Sequence, residues 1–432
     1  MFECFLGWHF GSMREISLTE QDGGIRMASS MNIAGNQNEE SAISGVEVRN
    51  IDDSIGKGLF ATRDFKAGDV IFEERPLVCC QFLWNAAYGY LACDFCMRPL
   101  ETAEENARRL TGNAALTLPH PECCETKKAQ VVECPTCDAS YCGEPCRDAA
   151  WRQYHKTLCT RSFTRDESHP LVNLQETWKK MHYPPETACI MLVARMLATV
   201  RQAEDKEGAM NLFMQFCHRT VNEEEEIAHK MLGVQFYEQL EVLRKLMSDA
   251  LYTPDVHQWL TPEGFRSLIA LVGTNGQGVG TSAISVWVRN CTNLDLPAEE
   301  HEKLDQVINQ LYDDLEKEAG CFLNNEGSAL YPLQSSCNHS CTPNAMPGFP
   351  CDNFDLVMSA TQDIAAGEQI CVSYLDECAL ERSRHSRNKI LRGNYLFNCQ
   401  CARCRSEADQ PDVTSEEEMD DEEEEEDEGQ EC

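Results

Sequence analysis

The sequence predicts an α+β protein in which one β-rich domain is interrupted by inserted sequence. Two stretches, ATRDFKAGD at 61–69 and ATQDIAAGE at 360–368, share Ala-Thr, an aspartate, an apolar residue and Ala-Gly-acid at identical spacing, and each precedes a strand pattern. Cysteine-rich sequence and several helical patterns lie between them. The two matching turns suggest paired strand–turn–strand units in the two halves of one β domain, with the intervening chain inserted into it.

Short strands are predicted on both sides of the inserted sequence, at 46–48, 70–72, 354–358 and 370–374. The inserted sequence itself carries helical patterns. A segment from Ile190 to Leu197 is apolar nearly all round, which predicts a buried helix, and Thr261-Pro262 has the residue types of a helix start. One further helical stripe, which ends at Gly320, consists of Leu304, Val307, Ile308, Leu311 and Leu315.

Composition indicates an intracellular protein that binds metal. The chain has 432 residues, 42% of them hydrophobic, which suffices for two or three domains with a sizeable core. It has no apolar run of about 18 residues and no secretory signal, so we expect neither a membrane span nor secretion. In an intracellular chain the 25 cysteines remain reduced and free to bind zinc. Residues 1–45 are polar and patternless, which predicts a disordered extension.

The net charge of −35 argues against direct binding of nucleic acid, whose phosphates require basic surfaces, and favours basic partners. Much of this charge lies in an acidic segment at 406–432, which is too charged to fold and is expected to be a disordered tail. Two interpretations of the tail remain open. The tail either only increases solubility or attracts a basic protein by its charge.

Paired cysteine spacing predicts two zinc sites. Two tetrahedral zinc ions require eight ligands, and four consecutive ligand pairs supply that number. The pairs are Cys93-x2-Cys96, Cys134-x2-Cys137, Cys142-x3-Cys146 and His155-x3-Cys159.

A third cysteine cluster, Cys399-x-Cys401-x2-Cys404, offers only three ligands. A structural zinc needs a fourth from elsewhere, and Cys341 is the candidate. The alternative is that these are three unrelated buried cysteines.

Cys341 lies in the heptapeptide NHSCTPN at 338–344, which could form a catalytic cysteine–histidine pair, a set of zinc ligands or a ligand-binding loop. A catalytic pair needs a third orienting group and a nucleophile at a helix start, and neither is evident beside Cys341. A glycine-rich stretch, GTNGQGVG at 273–280, lacks the Gly-Lys-Ser/Thr of a phosphate-binding loop, so nucleotide hydrolysis is rejected.

Four separated elements resemble a SET domain in their order along the chain: GKGLFA at 56–61, NHSCTPN, AGEQICVSYLD at 366–376 and NYLFNCQCARC at 394–404. The cysteine pairs between the first two elements, with YCGEPCRDAAW at 141–151, resemble a MYND zinc finger. Together they resemble the SET and MYND domain family of protein-lysine methyltransferases.

The MYND resemblance implies which residues share an ion. One set is Cys93, Cys96, Cys142 and Cys146, and the other is Cys134, Cys137, His155 and Cys159. The gap between Cys96 and Cys134 is longer than is usual in the family and contains Cys123 and Cys124. Either of these could replace Cys93 or Cys96 as a ligand, and the sequence leaves this open.

The resemblance implies a SET domain split by two insertions and followed by a cysteine-rich post-SET zinc segment. The expected division is a disordered extension at 1–45, the first part of the SET domain at 46–92, a MYND finger at 93–159, a helical insertion at 160–265, the SET core at 266–378, the post-SET segment at 379–405 and the acidic tail at 406–432.

The resemblance also implies the cofactors and the residues that bind them, namely S-adenosylmethionine and about three zinc ions. Tyr374 matches the catalytic tyrosine, and Tyr374, Tyr395 and Phe397 match the lysine channel. The residues that match cofactor contacts are Gly56, Lys57, Gly58, Asn275, Asn338, His339, Tyr374 and Phe397.

The residue types suit this chemistry independently of the family. Methyl transfer requires a neutral amine, whereas lysine in water is protonated with a pKa of about 10.4. An apolar aromatic channel lowers that pKa by desolvation and holds a methylated ammonium by cation–π contact. Positioning and desolvation are then the main tasks of the protein.

Two functions follow as alternatives. The favoured function is S-adenosylmethionine-dependent methylation of lysine in basic proteins such as histones or ribosomal proteins. The other is a catalytically weak zinc-finger adaptor that binds co-regulator peptides through the MYND module. In either case we expect a monomer in the cytoplasm, the nucleus or both, with no membrane or nucleic-acid partner.

Overall fold

The computed structural model describes residues 45–52, 55–161, 168–181, 189–217, 236–319 and 324–411. The N-terminal extension through residue 44 and the acidic tail from residue 412 lie outside the described residues. Within the described ranges, no helix combines the length and the apolar character needed to cross a bilayer.

The described strands form three small sheets and one short hairpin, with the orders β1-β2-β12-β9, β10-β11-β3, β4-β8-β7 and β5-β6. The strands are β1 Val46–Asp52, β2 Gly56–Ala61, β3 Val70–Glu74, β4 Val78–Gln81, β5 Val132–Glu133, β6 Ser140–Tyr141, β7 Gln277–Thr281, β8 Asn325–Leu330, β9 Asn338–His339, β10 Ala345–Gly348, β11 Leu356–Ala360 and β12 Gln369–Val372. The strand predicted at 370–374 ends at Val372, which places Tyr374 just beyond it.

The two similar stretches pair with each other, which confirms the interpretation drawn from their spacing. Phe65 and Ile364 occupy the same position in the two stretches, and their backbones exchange two hydrogen bonds of 2.9 Å. Gly68 and Gly367 are also equivalent, with φ angles of 90° and 89° that favour glycine. Strands from the two ends of the chain therefore meet in one β domain.

Most of the remaining described chain is helical. The helices are α1 Ala103–Thr111, α2 Glu144–Ala150, α3 Lys156–Leu158, α4 Pro170–Met181, α5 Ile190–Gln202, α6 Lys206–Met214, α7 Phe236–Leu251, α8 Pro262–Asn275, α9 Ala283–Thr292, α10 Ala298–Ala319, α11 Glu377–Glu381, α12 Arg384–Tyr395 and α13 Ala402–Ser406.

Helix positions largely match the sequence patterns. In α5 every residue from 190 to 200 is buried, as its apolar sequence predicts. Thr261 caps α8, because its Oγ1 accepts a hydrogen bond from the backbone N–H of Gly264. The predicted boundary at 265 therefore falls inside α8. In α10 four of the five stripe residues are buried, but Val307 is 39% exposed.

The long gap between Cys96 and Cys134 does not belong to a compact finger. Helix α1 lies in this gap and packs against α9 and α10, in a core that contains Ala107, Cys123 and Trp287. The Trp287 Nε1–H donates to the backbone carbonyl of Pro119. The segment predicted as one finger at 93–159 thus contributes a helix and a loop to a neighbouring core, which explains its unusual length.

A buried arginine joins three parts of the described fold. Arg195 of α5 donates Nη1–H to the carbonyls of Cys79 in β4 and Asp94 in the cysteine-rich segment (2.7 and 2.8 Å), and Nη2–H to Asp94 Oδ1 (2.6 Å). Its guanidinium also lies 4.2 Å from the ring centroid of Tyr154. Because each of these segments supplies one partner, Arg195 fixes the cysteine-rich segment against the helices and the sheet.

We expect Arg195→Met to destabilise the protein by about 1.5–3 kcal/mol, because it removes charged hydrogen bonds and leaves the partly exposed Asp94 carboxylate without its cation. Urea unfolding followed by circular dichroism measures this loss. The control is Arg201→Met, a half-buried residue on the same helix. Equal midpoints for the two variants would show that the Arg195 interactions contribute little.

Candidate active site and metal centres

Two four-residue clusters in the cysteine-rich segment have the dimensions of zinc sites. Their members are Cys93, Cys96, Cys142 and Cys146 in one, and Cys134, Cys137, His155 and Cys159 in the other. In each cluster the ligand atoms lie within 4.8 Å of one another. A tetrahedral zinc with Zn–S bonds near 2.3 Å separates its sulfurs by about 3.8 Å, and the observed Cys96–Cys142 and Cys134–Cys159 separations are 3.7 and 3.9 Å.

Cys123 and Cys124 do not join either cluster. Cys123 is buried beside Cys291 of α9, and the Asn290 Nδ2–H donates to the Cys123 carbonyl (2.7 Å). Cys93 and Cys96 keep the positions that the finger resemblance implies. A π-helical turn, Trp151–His155, follows α2 and holds His155 in a buried position within the second cluster.

The third cluster contains the predicted fourth ligand. Cys341 lies with Cys399, Cys401 and Cys404, and its Sγ is 3.9 Å from Cys399 Sγ and 3.6 Å from Cys404 Sγ. These separations again fit one zinc ion. The interpretation as unrelated buried cysteines is therefore wrong, since their sulfurs converge on one point and bring together segments about sixty residues apart.

Two side chains of α12 surround this cluster, and sequence analysis missed both. Arg387 is fully buried and directs Nε–H to Cys341 Sγ (3.3 Å) and Nη2–H to Cys404 Sγ (3.7 Å). Asn388 Oδ1 accepts the backbone N–H of Cys399 (2.6 Å). The guanidinium compensates part of the negative charge that four thiolates place on a zinc ion, and such outer contacts orient metal ligands.

His339 connects the third cluster to the candidate active site. Its Nδ1 accepts the backbone N–H of Tyr374 (3.0 Å), so the proton resides on Nε2, which lies 3.4 Å from Cys341 Sγ. Burial and the nearby charge of Arg387 lower the pKa of His339 to about 4, so the ring is neutral at pH 7. Both ring nitrogens are thus engaged within the protein. His339 can therefore contact a cofactor only through its backbone.

Asn338 and the glycines of β2 form a second connection. Asn338 Nδ2–H donates to the carbonyl of Lys57 (2.9 Å). A Cβ on Gly58 would lie 2.7 Å from Ile51 Cδ1 and 3.2 Å from Asn338 Nδ2, so a larger residue would displace the side chains that pack against this backbone. Gly56 has a φ of 79° and open space where a side chain would be. This open, side-chain-free backbone beside Asn338 suits close contact with a bound cofactor.

The three predicted channel residues lie together although they come from two segments. The ring centroids of Tyr374 and Tyr395 are 4.8 Å apart, and Phe397 lies edge-on to Tyr374 at 6.3 Å. The Tyr374 hydroxyl donates to the carbonyl of Cys337 (2.8 Å). Burial raises the pKa of Tyr374, so its phenol is neutral, and the oxygen keeps lone pairs for a further donor.

The side chain of Asn275 has fewer free hydrogen-bonding groups for a cofactor than the sequence predicts. It is the last residue of α8, and its Nδ2 donates both hydrogens, to the carbonyls of Cys217 (2.7 Å) and Leu271 (2.9 Å). Only Oδ1 remains for a ligand.

A buried carboxylate supports the loop from the other side, and no sequence signal pointed to it. Glu74, at the end of β3, accepts the backbone N–H groups of Leu333 (2.7 Å) and Gln334 (2.9 Å). Burial raises its pKa to about 7. Glu74 thereby fixes the turn that leads into Cys337 and Asn338.

Comparison with known proteins agrees with this geometry. A family model described as SET domain matches residues 56–375. The chain is 60% identical to protein-lysine N-trimethyltransferase SMYD5 of Gallus gallus over 372 residues, which cover 86% of this chain and 89% of that protein. Its identity to the SMYD5 of Homo sapiens is 59%, with the same coverage. The histone-lysine N-methyltransferase ATXR2 of Arabidopsis thaliana is 23% identical, covering 84% of this chain and 91% of that protein.

Metal analysis tests the three clusters. We expect about three zinc ions per chain in the unaltered protein and about two in Cys401→Ser, because three remaining ligands do not complete a tetrahedral site. Cys123→Ser is the matched control, since that buried thiol lies outside the clusters, and it should retain about three ions. Full zinc content in Cys401→Ser would contradict the assignment of the third site, and loss of zinc from Cys123→Ser would restore that residue as a ligand.

Proposed function

The chain belongs to the SET domain family and, within it, to the SMYD5 group of protein-lysine N-trimethyltransferases, and from this premise we propose how its residues methylate lysine and on which substrates. The enzyme is an S-adenosylmethionine-dependent protein-lysine methyltransferase. The observation that carries the assignment of the site is the convergence of Tyr374, Tyr395 and Phe397 beside the loop 337–341.

The cofactor-binding residues are proposed from this geometry. Backbone groups of Gly56, Lys57 and Gly58 line one side, where the position of a Cβ on Gly56 is open space. Asn338 and the backbone of His339 line the other side, and Asn275 Oδ1 is a further contact. S-adenosylmethionine supplies an electrophilic methyl group on a sulfonium when bound.

The aromatic residues prepare the lysine. Partly buried rings exclude water around the amine, which lowers its pKa and favours the neutral nucleophile. The Tyr374 oxygen donates its hydrogen to Cys337 and can accept one N–H of the amine, which orients the nitrogen lone pair. The same rings attract a methylated ammonium by cation–π contact, which permits repeated methylation at one nitrogen.

The proposed substrate class rests on the net charge of the chain. A chain of net charge −35 attracts basic proteins by long-range electrostatics, and we propose histones, ribosomal proteins or both as substrates. The finger is proposed to be of the MYND type and to offer a surface for co-regulator peptides, where Trp151 is 46% exposed. Reduced cysteine clusters fit a cytoplasmic or nuclear location.

The adaptor function explains fewer features of the candidate active site than methyl transfer does. A protein that only bound peptides would not need a neutral tyrosine whose backbone and hydroxyl are both fixed by the loop 337–341. The relatives named above are all methyltransferases. We therefore keep peptide binding as a second property of the finger and not as the function of the chain.

Transfer of labelled methyl groups to histones and to ribosomal proteins tests the proposal. We expect Tyr374→Phe to lower turnover by about 10²-fold or more, the usual loss when one polar group that positions the reacting atoms is removed. Tyr331→Phe is the matched control, because this buried tyrosine also donates to a backbone carbonyl, that of Phe354 (2.6 Å), but lies outside the channel.

The control should lose about 1 kcal/mol of stability and keep its turnover. Equal turnover in Tyr374→Phe and the unaltered enzyme would remove Tyr374 from the mechanism. Absence of labelling on either substrate class by the unaltered protein would favour the adaptor.

A further inference from the structure

A strongly basic segment lies in this acidic chain, next to the lysine channel. Residues 382–405 contain seven lysines and arginines and no aspartate or glutamate. They include α12, α13 and the channel residues Tyr395 and Phe397. The following residues 412–432, here called the acidic tail, contain fourteen aspartates and glutamates and no lysine or arginine. The proposed function uses none of the basic side chains of this segment.

Part of the basic segment faces solvent. On α12 the buried residues Arg387, Asn388 and Leu391 mark the inner face. Lys389 and Arg392 are three residues apart, so they are neighbours on the helix surface outside that face, and Arg392 is half-buried. Lys389 is exposed and so is Arg405 on α13, and among the described residues none of Lys389, Arg392 and Arg405 forms an ion pair. We call these three residues the basic stripe.

The structure also places the origin of the tail against helices α12 and α13, which carry the stripe. Glu407 forms ion pairs with Arg387 of α12 (2.5 Å) and with Arg403 of α13 (2.9 Å). The predicted start of the tail at 406 is therefore too early, since Ser406 ends a helix and Glu407 is fixed by two arginines. Only four residues separate Glu407 from the acidic tail.

The acidic tail is long enough to cover the basic stripe. Its 21 residues extend to at most about 70 Å, whereas a 12-residue helix such as α12 is about 18 Å long. A tether this short gives the tail an effective concentration in the millimolar range at the stripe.

We propose that the acidic tail docks on the basic stripe of its own chain and reverses the charge of the surface beside the lysine channel. An uncovered stripe would repel a basic protein as its lysine approaches Tyr395 and Phe397. A docked tail neutralises the stripe and adds a surplus of carboxylates, which attract that protein instead. This consequence rests on the proposed function, whereas the docking itself does not.

A nucleic acid is the other polyanion that could occupy the stripe. The tail is favoured because it begins only seven residues after Arg405 of the stripe, and because the net charge of −35 repels phosphates from the rest of the chain. The test distinguishes the two occupants.

Zero-length carbodiimide coupling of the full chain, at low protein concentration and without cofactor or substrate, tests the docking. Lys389 is the only lysine in residues 382–411, so an amide between it and a tail carboxylate is assigned by mass spectrometry without ambiguity. We expect at least about tenfold more tail product at Lys389 than at the exposed Lys127, as millimolar effective concentration implies. The yield should fall several-fold in about 1 M salt, where the Debye length is about 3 Å.

The ion pair Lys66–Asp363 provides an internal standard for the coupling chemistry. Arg392→Glu with Arg405→Glu should reduce the Lys389 product and leave the Lys66 product unchanged. Tail products spread evenly over exposed lysines, or no product at Lys389 while the standard forms, would overturn the proposal. So would an oligonucleotide that binds the full chain at physiological salt and is released by the double charge reversal, since the stripe would then be a nucleic-acid surface. None of these outcomes depends on methyl transfer, so a failure of docking is separable from a failure of the proposed function.

Discussion

The convergence of four cysteine sulfurs around one point supports the rest of the candidate active site. Cys341 belongs to the loop that follows Cys337 and Asn338, whereas Cys399, Cys401 and Cys404 belong to the segment that carries Tyr395 and Phe397. One zinc ion bound at that point would hold both segments at a fixed separation. Since Tyr374 contacts both segments, through the Cys337 carbonyl and through the rings of Tyr395 and Phe397, the lysine channel can form only when they are held together.

The side chains around the third cluster balance the charge of this buried site. A zinc with four thiolates carries a net negative charge, and the fully buried guanidinium of Arg387 lies against two of the sulfurs. His339 remains neutral, bonded to the backbone of Tyr374 on one side and facing Cys341 on the other, so it links the third cluster to the candidate active site. Burial and the charge of Arg387 both lower the pKa of His339. A protonated ring would lose hydration in this site and would also lie near a second cation.

Sequence reasoning identified the parts whose chemistry is local. The ligand pairs and the matching stretches at 61–69 and 360–368 could be predicted from spacing, whereas the grouping of the pairs into two sites followed from the family resemblance. The roles of Arg387 and Glu74 could not, because each depends on a partner distant along the chain and neither residue type signals such a role. The same limit applies to His339, whose ring faces the cluster, and to the helix in the gap after Cys96, whose partners are α9 and α10.

Calorimetry of S-adenosylmethionine binding tests most directly whether the third cluster assembles the active site. Cys399→Ser removes a ligand of that cluster, and Cys142→Ser removes a ligand of a finger cluster, so the two variants are matched in chemistry. The account predicts that cofactor affinity falls by about 10–100-fold in Cys399→Ser, the usual effect of disturbing the surroundings of a site, and stays near the unaltered value in Cys142→Ser. Unchanged affinity in Cys399→Ser, or an equal loss in both variants, would contradict it.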